Sequence, residues 1–161
     1  MNIYEIAIMM EKDGEEFYLE QAEKNKNNAL SRIFLLLAKD EKRHAEILKN
    51  KFEGMDYKMQ KNETPVKMKN FFSSDKEFIS EMERLPKQLS VYRQALLNEN
   101  KSIELYKSLL IRAEDLVTKK LFEYLTQQEN EHSELLEEII LLVSRPDEWV
   151  ESAEFGLREE Y

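Results

Sequence analysis

Apolar residues recur every three or four positions in four long stretches of the chain, which is the pattern of amphipathic helices. In the first stretch this stripe consists of Ile3, Ala7, Met10, Gly14, Phe17, Tyr18 and Ala22. The pattern predicts long helices over residues 3–24, 29–52, 86–113 and 116–143. Polar residues separate the members of each pair, and Asn27 and Asp115 are the predicted helix caps at these turns. Two helical hairpins are therefore expected.

Residues 53–85 connect the two hairpins and are too many for a tight turn. This crossover contains Thr64-Pro65, the apolar pair Phe71-Phe72 and a predicted short helix from Ser74 to about Arg84. The third long helix is predicted to open near Pro86, and the fourth to stop at Ser144-Arg145-Pro146. We therefore expect a single all-α domain over residues 1–161, built as a four-helix bundle with a long crossover.

The C-terminal tail, residues 144–161, carries the apolar side chains Trp149, Val150, Phe155 and Tyr161. We expect these side chains to pack across one end of the bundle or against a partner subunit. A homodimer is the predicted assembly.

Composition narrows the function classes. Gly and Pro number only 3 each, and charged residues make up 35% of the chain, which favours helix. The net charge of -9 argues against nucleic acid or an anionic membrane as a partner, because both attract basic proteins. The absence of Cys excludes disulfides, thiolate metal sites and Cys nucleophiles. With no secretory signal pattern and no apolar run of about 20 residues, a soluble cytoplasmic protein is expected.

The two hairpins repeat each other at an offset of 88 residues. A gapless superposition of residues 3–52 on residues 91–140 pairs Tyr4 with Tyr92, Phe34 with Phe122, and both histidines with each other. The chemically demanding residues of the repeat are a glutamate (Glu11, Glu99), a Glu-x-x-His motif (Glu41 and His44, Glu129 and His132) and a tyrosine (Tyr18, Tyr106). Such a doubled set is typical of a metal site.

Residues three apart on a helix project from one face, so each Glu-x-x-His motif can serve one metal centre. Apolar neighbours on the same stripe turn both histidines inward. Four carboxylates and two imidazoles from four helices match the ligand count of a di-metal carboxylate site in a bundle core. The predicted metal ligands are Glu11, Glu41, His44, Glu99, Glu129 and His132, with Glu41 and Glu129 bridging. The sequence leaves open which terminal glutamate shares a metal with which histidine.

Four further residues are predicted to support these ligands. Asp40 and Gln128 each lie four residues before a histidine, one turn away, where an oxygen can accept from the free imidazole N–H. Tyr18 and Tyr106 lie two turns beyond Glu11 and Glu99, where each phenol can donate to a carboxylate. Oxygen and imidazole ligands without sulfur favour two iron ions, with manganese or zinc as alternatives.

At these residues the chain resembles the rubrerythrin-like branch of the ferritin-like superfamily. The segments that carry the resemblance are residues 10–18, 39–44, 127–132 and the tail at 145–155. The resemblance implies a ferritin-like bundle that binds two irons and either reduces H2O2 or O2 in oxidative-stress defence or oxidises Fe(II) as a ferroxidase.

Two departures from the family limit what carries over. Rubrerythrins proper append a rubredoxin module held by cysteines, so a chain without Cys implies a separate electron donor. They also carry a further carboxylate one turn after the ligand on the third long helix, where this chain has Ser102. Loss of that carboxylate puts rubrerythrin-type peroxidase turnover in doubt. Two other functions stay open at this point: iron storage or delivery, and a bundle whose metal is purely structural.

Overall fold

In a computed structural model of the protein, the described residues are 1–74, 76–83 and 88–155, with no side-chain description at residues 74, 82–83 and 145–155. Six helices follow one another: α1 (Ile3–Lys24), α2 (Leu30–Phe52), α3 (Thr64–Ser74), α4 (Lys76–Glu83), α5 (Leu89–Arg112) and α6 (Leu116–Phe155). The described part of the chain contains no strand. The predicted all-α fold is confirmed, with the hairpins α1–α2 and α5–α6 as the four long helices of the bundle.

Local sequence explains where the long helices begin and end. The Asn2 side chain accepts from the Glu5 backbone N–H, while the Glu5 carboxylate accepts from the Asn2 N–H, which forms a capping box. Helix α2 ends at Phe52, and two residues later Gly54 has a φ of 72°, which favours a residue without a Cβ. At the turns, Asp115 caps α6 through the Thr118 N–H as predicted. In the first hairpin it is Asn28 that accepts from Leu30 N–H, one position beyond the predicted Asn27.

The crossover holds more helix than the sequence pattern predicted. Helix α3 was missed, although Asn62 accepts from the Thr64 N–H at its start and Pro65 occupies its first turn. Helix α4 begins at Lys76 instead of Ser74, and Arg84 and Pro86 lie outside the described residues. The rings of Phe71 and Phe72 pack against Phe78 of α4. The crossover therefore covers one end of the bundle with its own apolar side chains.

Helix α6 is longer than predicted. It continues through Pro146 to Phe155, so the predicted end at residue 143 was wrong. A proline keeps a helical φ and removes one backbone donor, which weakens a helix by about 3 kcal/mol without always ending it. The side chains of Trp149, Val150 and Phe155 and the whole of Tyr161 lie outside the described part of the structure. None of the helices in the described ranges is both long enough and apolar enough to span a membrane.

Two hydrophobic clusters flank the middle of the bundle and follow the internal repeat. In one, the ring of Phe34 lies between Tyr18 and Tyr92, at centroid distances of 6.2 and 5.8 Å. In the other, Phe122 lies between Tyr106 and Tyr4, at 6.1 and 6.2 Å. Each triplet takes two rings from one hairpin and the third from the other, so the hairpins are related by a pseudo-twofold axis. The interior between the clusters is where the polar residues of the repeat meet.

Candidate metal centre

Six acidic and imidazole side chains converge at the centre of the bundle. Each of the four long helices contributes, and all six residues are at most 3% exposed: Glu11, Glu41, His44, Glu99, Glu129 and His132. Glutamate is almost never fully buried unless it is paired. Four buried glutamates in one place therefore require compensation by protons or cations.

The six residues form two overlapping groups of four. One group contains Glu11, Glu41, His44 and Glu129, and the other contains Glu41, Glu99, Glu129 and His132. Within each group the potential ligand atoms all lie within 4.8 Å of one another. Glu41 and Glu129 belong to both groups, which is the arrangement expected of bridging carboxylates.

The distances between the histidines and the glutamates show which terminal glutamate lies beside which histidine, a question that the sequence left open. The Nδ1 atom of His44 lies 3.4 Å from Glu11 and 2.9 Å from Glu129. The Nδ1 atom of His132 lies 3.4 Å from Glu99 and 3.1 Å from Glu41. Glu11 therefore shares a group with His44, and Glu99 with His132.

The unpaired atoms of the centre fit a pair of metal ions. Both imidazole Nδ1 atoms lack a hydrogen-bond partner, as do carboxylate oxygens of all four glutamates. Most buried polar atoms in proteins have a partner, so such a concentration of unpaired ligand atoms calls for an explanation. Nitrogen and oxygen donors directed at a common centre suit iron, manganese or zinc. The residues present therefore fit the predicted di-metal site.

Burial and mutual charge shift the pKa values of the residues in this centre. Burial raises the pKa of Glu41 and Glu129 well above the usual glutamate value, and the charge of Glu11 raises the pKa of both further. Burial alone would lower the pKa of His132, but the charge of Glu99 and the hydrogen bond that the imidazole donates to Asp40 hold that pKa well above its usual value. Without metal, Glu41, Glu129 and His132 therefore bind protons more tightly than the same side chains do in water. Bound cations would displace these protons.

Both tyrosines of the repeat donate to terminal glutamates, and they do so across the bundle. Tyr18 of α1 donates to Glu99 of α5 at 2.7 Å, and Tyr106 of α5 donates to Glu11 of α1 at 2.5 Å. Burial and then the adjacent carboxylate raise the pKa of each phenol well above 10.0, so both stay protonated and act as donors. Each bond leaves the other carboxylate oxygen of its glutamate without a partner.

Asp40 and Gln128 contact the histidines, but not those of their own helices. Asp40 Oδ2 of α2 lies 2.8 Å from His132 Nε2 of α6. Gln128 Oε1 of α6 lies 3.0 Å from His44 Nε2 of α2. The predicted contacts within one helix were wrong. Asp40 and Gln128 each contact the histidine of the facing helix instead of the histidine four residues later on their own helix. These contacts leave each Nδ1 free to bind a metal.

Sequence reasoning missed three residues that shape the centre. Thr64 donates to Asp40 at 2.5 Å, and Arg43 donates to Gln128 at 2.6 Å. Gly14 approaches Glu41 so closely that an added Cβ would lie 2.9 Å from Oε2. The signals for Gly14 and Arg43 were their positions, a glycine on the inward stripe of α1 and a basic residue directly before a ligand histidine. Thr64 carried no signal, because it comes from the crossover.

A cavity of about 350 Å³ opens beside the centre between α1 and α5. Gly14, Tyr18, Glu41 and Glu99 line its inner part. The rest of its wall combines five apolar side chains with four polar ones: Met1, Ile6, Met9, Met10 and Phe17, and Asp13, Asn98, Lys101 and Ser102. Glu41, which belongs to both groups, is therefore within reach of a small molecule from outside.

Comparison with known proteins agrees with this geometry. The sequence model of the family described as Rubrerythrin matches residues 2–140, a range that contains all six converging side chains. No curated protein and no solved structure matches the chain. Rubrerythrins are di-iron proteins and typically oxidoreductases. Because the match covers far more than half of its length, the chain belongs to the rubrerythrin family.

Proposed function

We propose that this protein is a di-iron oxidoreductase that reduces H2O2 or O2 with electrons from a separate donor. The observation that carries the proposal is the pair of overlapping ligand groups with unpaired Nδ1 and carboxylate atoms directed at a common centre. In this assignment Glu41 and Glu129 would each serve both irons, Glu11 and His44 would hold one iron, and Glu99 and His132 would hold the other.

The bound metals would supply one electron each, so that an oxidant is reduced in a two-electron step. Reduction of one H2O2 consumes two electrons and two protons and yields two water molecules. Carboxylate ligands favour the ferric product because hard oxygen donors suit the higher charge. A separate donor would then return two electrons, since this chain has no Cys to hold an electron-transfer iron.

The protein's own residues hold this centre in place. Tyr18 and Tyr106 fix one oxygen of each terminal glutamate, and Asp40 and Gln128 fix the orientation of each imidazole. Hydrophobic clusters pack on both sides of the centre. The ligands are therefore preorganised, and the cavity beside Gly14 is the route of access.

The cavity favours an oxidant over Fe(II) as the molecule that enters. Apolar side chains outnumber polar ones in its outer wall, and the charges of Asp13 and Lys101 offset each other. Small neutral molecules such as H2O2 and O2 can cross such a wall without losing strong hydration. A divalent cation would need carboxylate oxygens along the way. The ferroxidase function, which also fits the ligand set, is therefore the second candidate.

Stopped-flow spectroscopy of anaerobically Fe(II)-loaded protein tests the proposal. We expect rapid oxidation by H2O2 with one peroxide consumed per two irons, and reduction of the product by an added electron donor. Fast oxidation by O2 with release of Fe(III) would instead indicate a ferroxidase. Absence of reaction with both oxidants would contradict a redox function and leave the metal as a structural element.

A further inference from the structure

The internal repeat is broken where each imidazole meets its outer partner. His132 Nε2 contacts the carboxylate of Asp40 at 2.8 Å, while His44 Nε2 contacts the neutral amide of Gln128 at 3.0 Å. Asp40 and Gln128 occupy equivalent positions in the two hairpins. One histidine therefore donates to an anion and its repeat partner to a neutral oxygen.

The surroundings of the two acceptors increase this difference. Asp40 is 6% exposed, and its Oδ2 also accepts from Thr64 at the start of α3. The Oε1 atom of Gln128 accepts from the Arg43 guanidinium at 2.6 Å, whereas the nearest Asp40 oxygen lies 3.6 Å from that group. The positive charge is thus closer to the partner of His44.

The predicted ligands of the two metal positions and the tyrosines that contact them match. Each has one terminal glutamate, one histidine and a share of the two bridging carboxylates. Each terminal glutamate accepts from a buried tyrosine, at 2.7 Å for Glu99 and 2.5 Å for Glu11. Among the residues that hydrogen-bond the predicted ligands, Asp40 and Gln128 are therefore the pair that differs between the positions.

An imidazole that donates to a carboxylate is a more basic metal ligand than one that donates to an amide, and such outer partners change metal affinity by about 10–100-fold. We infer that the two metal positions are inequivalent, and that the position of Glu99 and His132 fills before the position of Glu11 and His44. The inference rests on the proposed di-metal function and adds an order of loading to it. Asp40 and Gln128 act as positioning residues in this scheme.

The composition of the chain makes the order of loading directly observable. His44 and His132 are the only 2 histidines, so protein labelled with ¹⁵N-histidine gives two sets of ring signals. A His44→Gln variant assigns them. Titration of the metal-free protein with Zn(II), which is redox-inert, should shift the Nδ1 signal of His132 with the first equivalent and that of His44 with the second. Simultaneous shifts, or a shift of His44 first, would overturn the inference.

Three variants test the cause. Asp40→Asn should weaken the tighter step by about 10-fold or more, and Gln128→Glu should strengthen the weaker step by about 10-fold. The Asp40→Asn/Gln128→Glu double variant keeps the net charge and should reverse the order of loading. An unchanged order in the double variant, with native circular dichroism, would overturn the role of these residues.

Failure of the inference and failure of the proposed function give different results. If neither histidine responds to Zn(II), the metal site itself is wrong. If both respond together, the metal site stands and only the inequivalence is lost.

Discussion

The hairpins α1–α2 and α5–α6 differ in a selective way. Every side chain that faces the common centre has an equivalent in the other hairpin, and the aromatic rings that flank the centre also correspond. The differences begin one contact further out. Asp40 corresponds to Gln128, and Gly14 corresponds to Ser102.

This comparison separates two kinds of constraint. In the proposed site, two metals that shared Glu41 and Glu129 would require the same donor atoms from both halves, which agrees with the correspondence of the six side chains. Among the residues that contact these six side chains, the two tyrosines also correspond, whereas Asp40 corresponds to Gln128 and therefore differs between the halves. The first hairpin also contacts the crossover through the Thr64–Asp40 hydrogen bond, for which no equivalent contact to Gln128 is seen among the described residues. The crossover thus contacts the hydrogen-bond partner of His132 and makes the surroundings of the two histidines unequal.

The largest expected effect comes from the bridging glutamates, because each belongs to both ligand groups. Glu41→Gln and Glu129→Gln should each lower metal affinity by more than about 100-fold. Loss of a residue that only hydrogen-bonds a ligand lowers affinity by about 10–100-fold, and loss of the ligand itself should cost more. Metal content after dialysis, measured by atomic emission, checks this. Glu16→Gln is the control, since Glu16 is also repeated (as Glu104) but is exposed. Retention of two ions by both bridging variants would contradict the assignment.

A smaller effect is expected at Gly14, where an added Cβ would lie 2.9 Å from Glu41 Oε2. Gly14→Ala should displace the carboxylate and lower Zn(II) affinity by about 10-fold. Stability of the metal-free protein should not fall, because alanine favours helix over glycine by about 0.5–1 kcal/mol. Isothermal titration calorimetry and thermal unfolding measure the two quantities. Ser102→Ala, at the equivalent position, is the matched control, and equal effects of the two substitutions would argue against a specific role for Gly14.

The tyrosines should show a still smaller and symmetric effect. Tyr18→Phe and Tyr106→Phe each remove one hydrogen bond to a terminal glutamate, worth about 1.5–3 kcal/mol when the acceptor is charged. A bound metal would still hold the glutamate that has lost its hydrogen bond. We therefore expect metal affinity to fall by about 10-fold or less, at one position per variant. Histidine ring shifts in Zn(II) titrations locate the weakened position. Tyr18→Phe should affect the His132 position, and an effect at the His44 position would contradict the crosswise pairing.

The most gradual effect concerns pH. Glu41, Glu129 and His132 have raised pKa values in the folded metal-free protein, so they bind protons more tightly there than in the unfolded chain. Their stabilising contribution is full at a pH below the ordinary values of 4.5 for glutamate and 6.5 for histidine, and is lost as pH rises through the raised values. Thermal unfolding of the metal-free protein should therefore show falling stability from pH 5 to pH 9. A stability that rises over this range would contradict the buried, proton-retaining centre.

Metal-loaded protein should respond to pH in the opposite way. Protons compete with cations for the same oxygen and nitrogen atoms, so metal affinity rises with pH. The difference in melting temperature between Zn(II)-loaded and metal-free protein should therefore widen from pH 5 to pH 9.

The sequence predicted the elements that local rules determine. The 88-residue repeat and the 3.6-residue periodicity predicted the four long helices, and the doubled motif predicted the six side chains that converge. Their role as ligands stays a prediction until metal is measured. The predicted start of the third long helix at Pro86 lies outside the described residues, which resume at Gln88, just before α5.

The sequence could not predict contacts that depend on how helices pack. The spacing of Asp40 and His44 allows a bond within α2, yet the facing helix brings His132 closer. Thr64 and helix α3 follow from the path of the crossover, which no repeat constrains. Pro146 is typical of a helix end, yet α6 continues through it, because the residues that follow also favour helix.

The most direct test of the account is the iron content and magnetic state of the protein. Chains loaded anaerobically with ⁵⁷Fe(II), freed of excess metal and treated with one equivalent of H2O2, can be followed by Mössbauer spectroscopy. The account predicts two irons per chain and a single product in which two ferric ions are magnetically coupled, with no high-spin ferric signal in electron paramagnetic resonance. One iron or fewer per chain, or isolated ferric ions after peroxide, would contradict the claim that six buried side chains share a pair of metals.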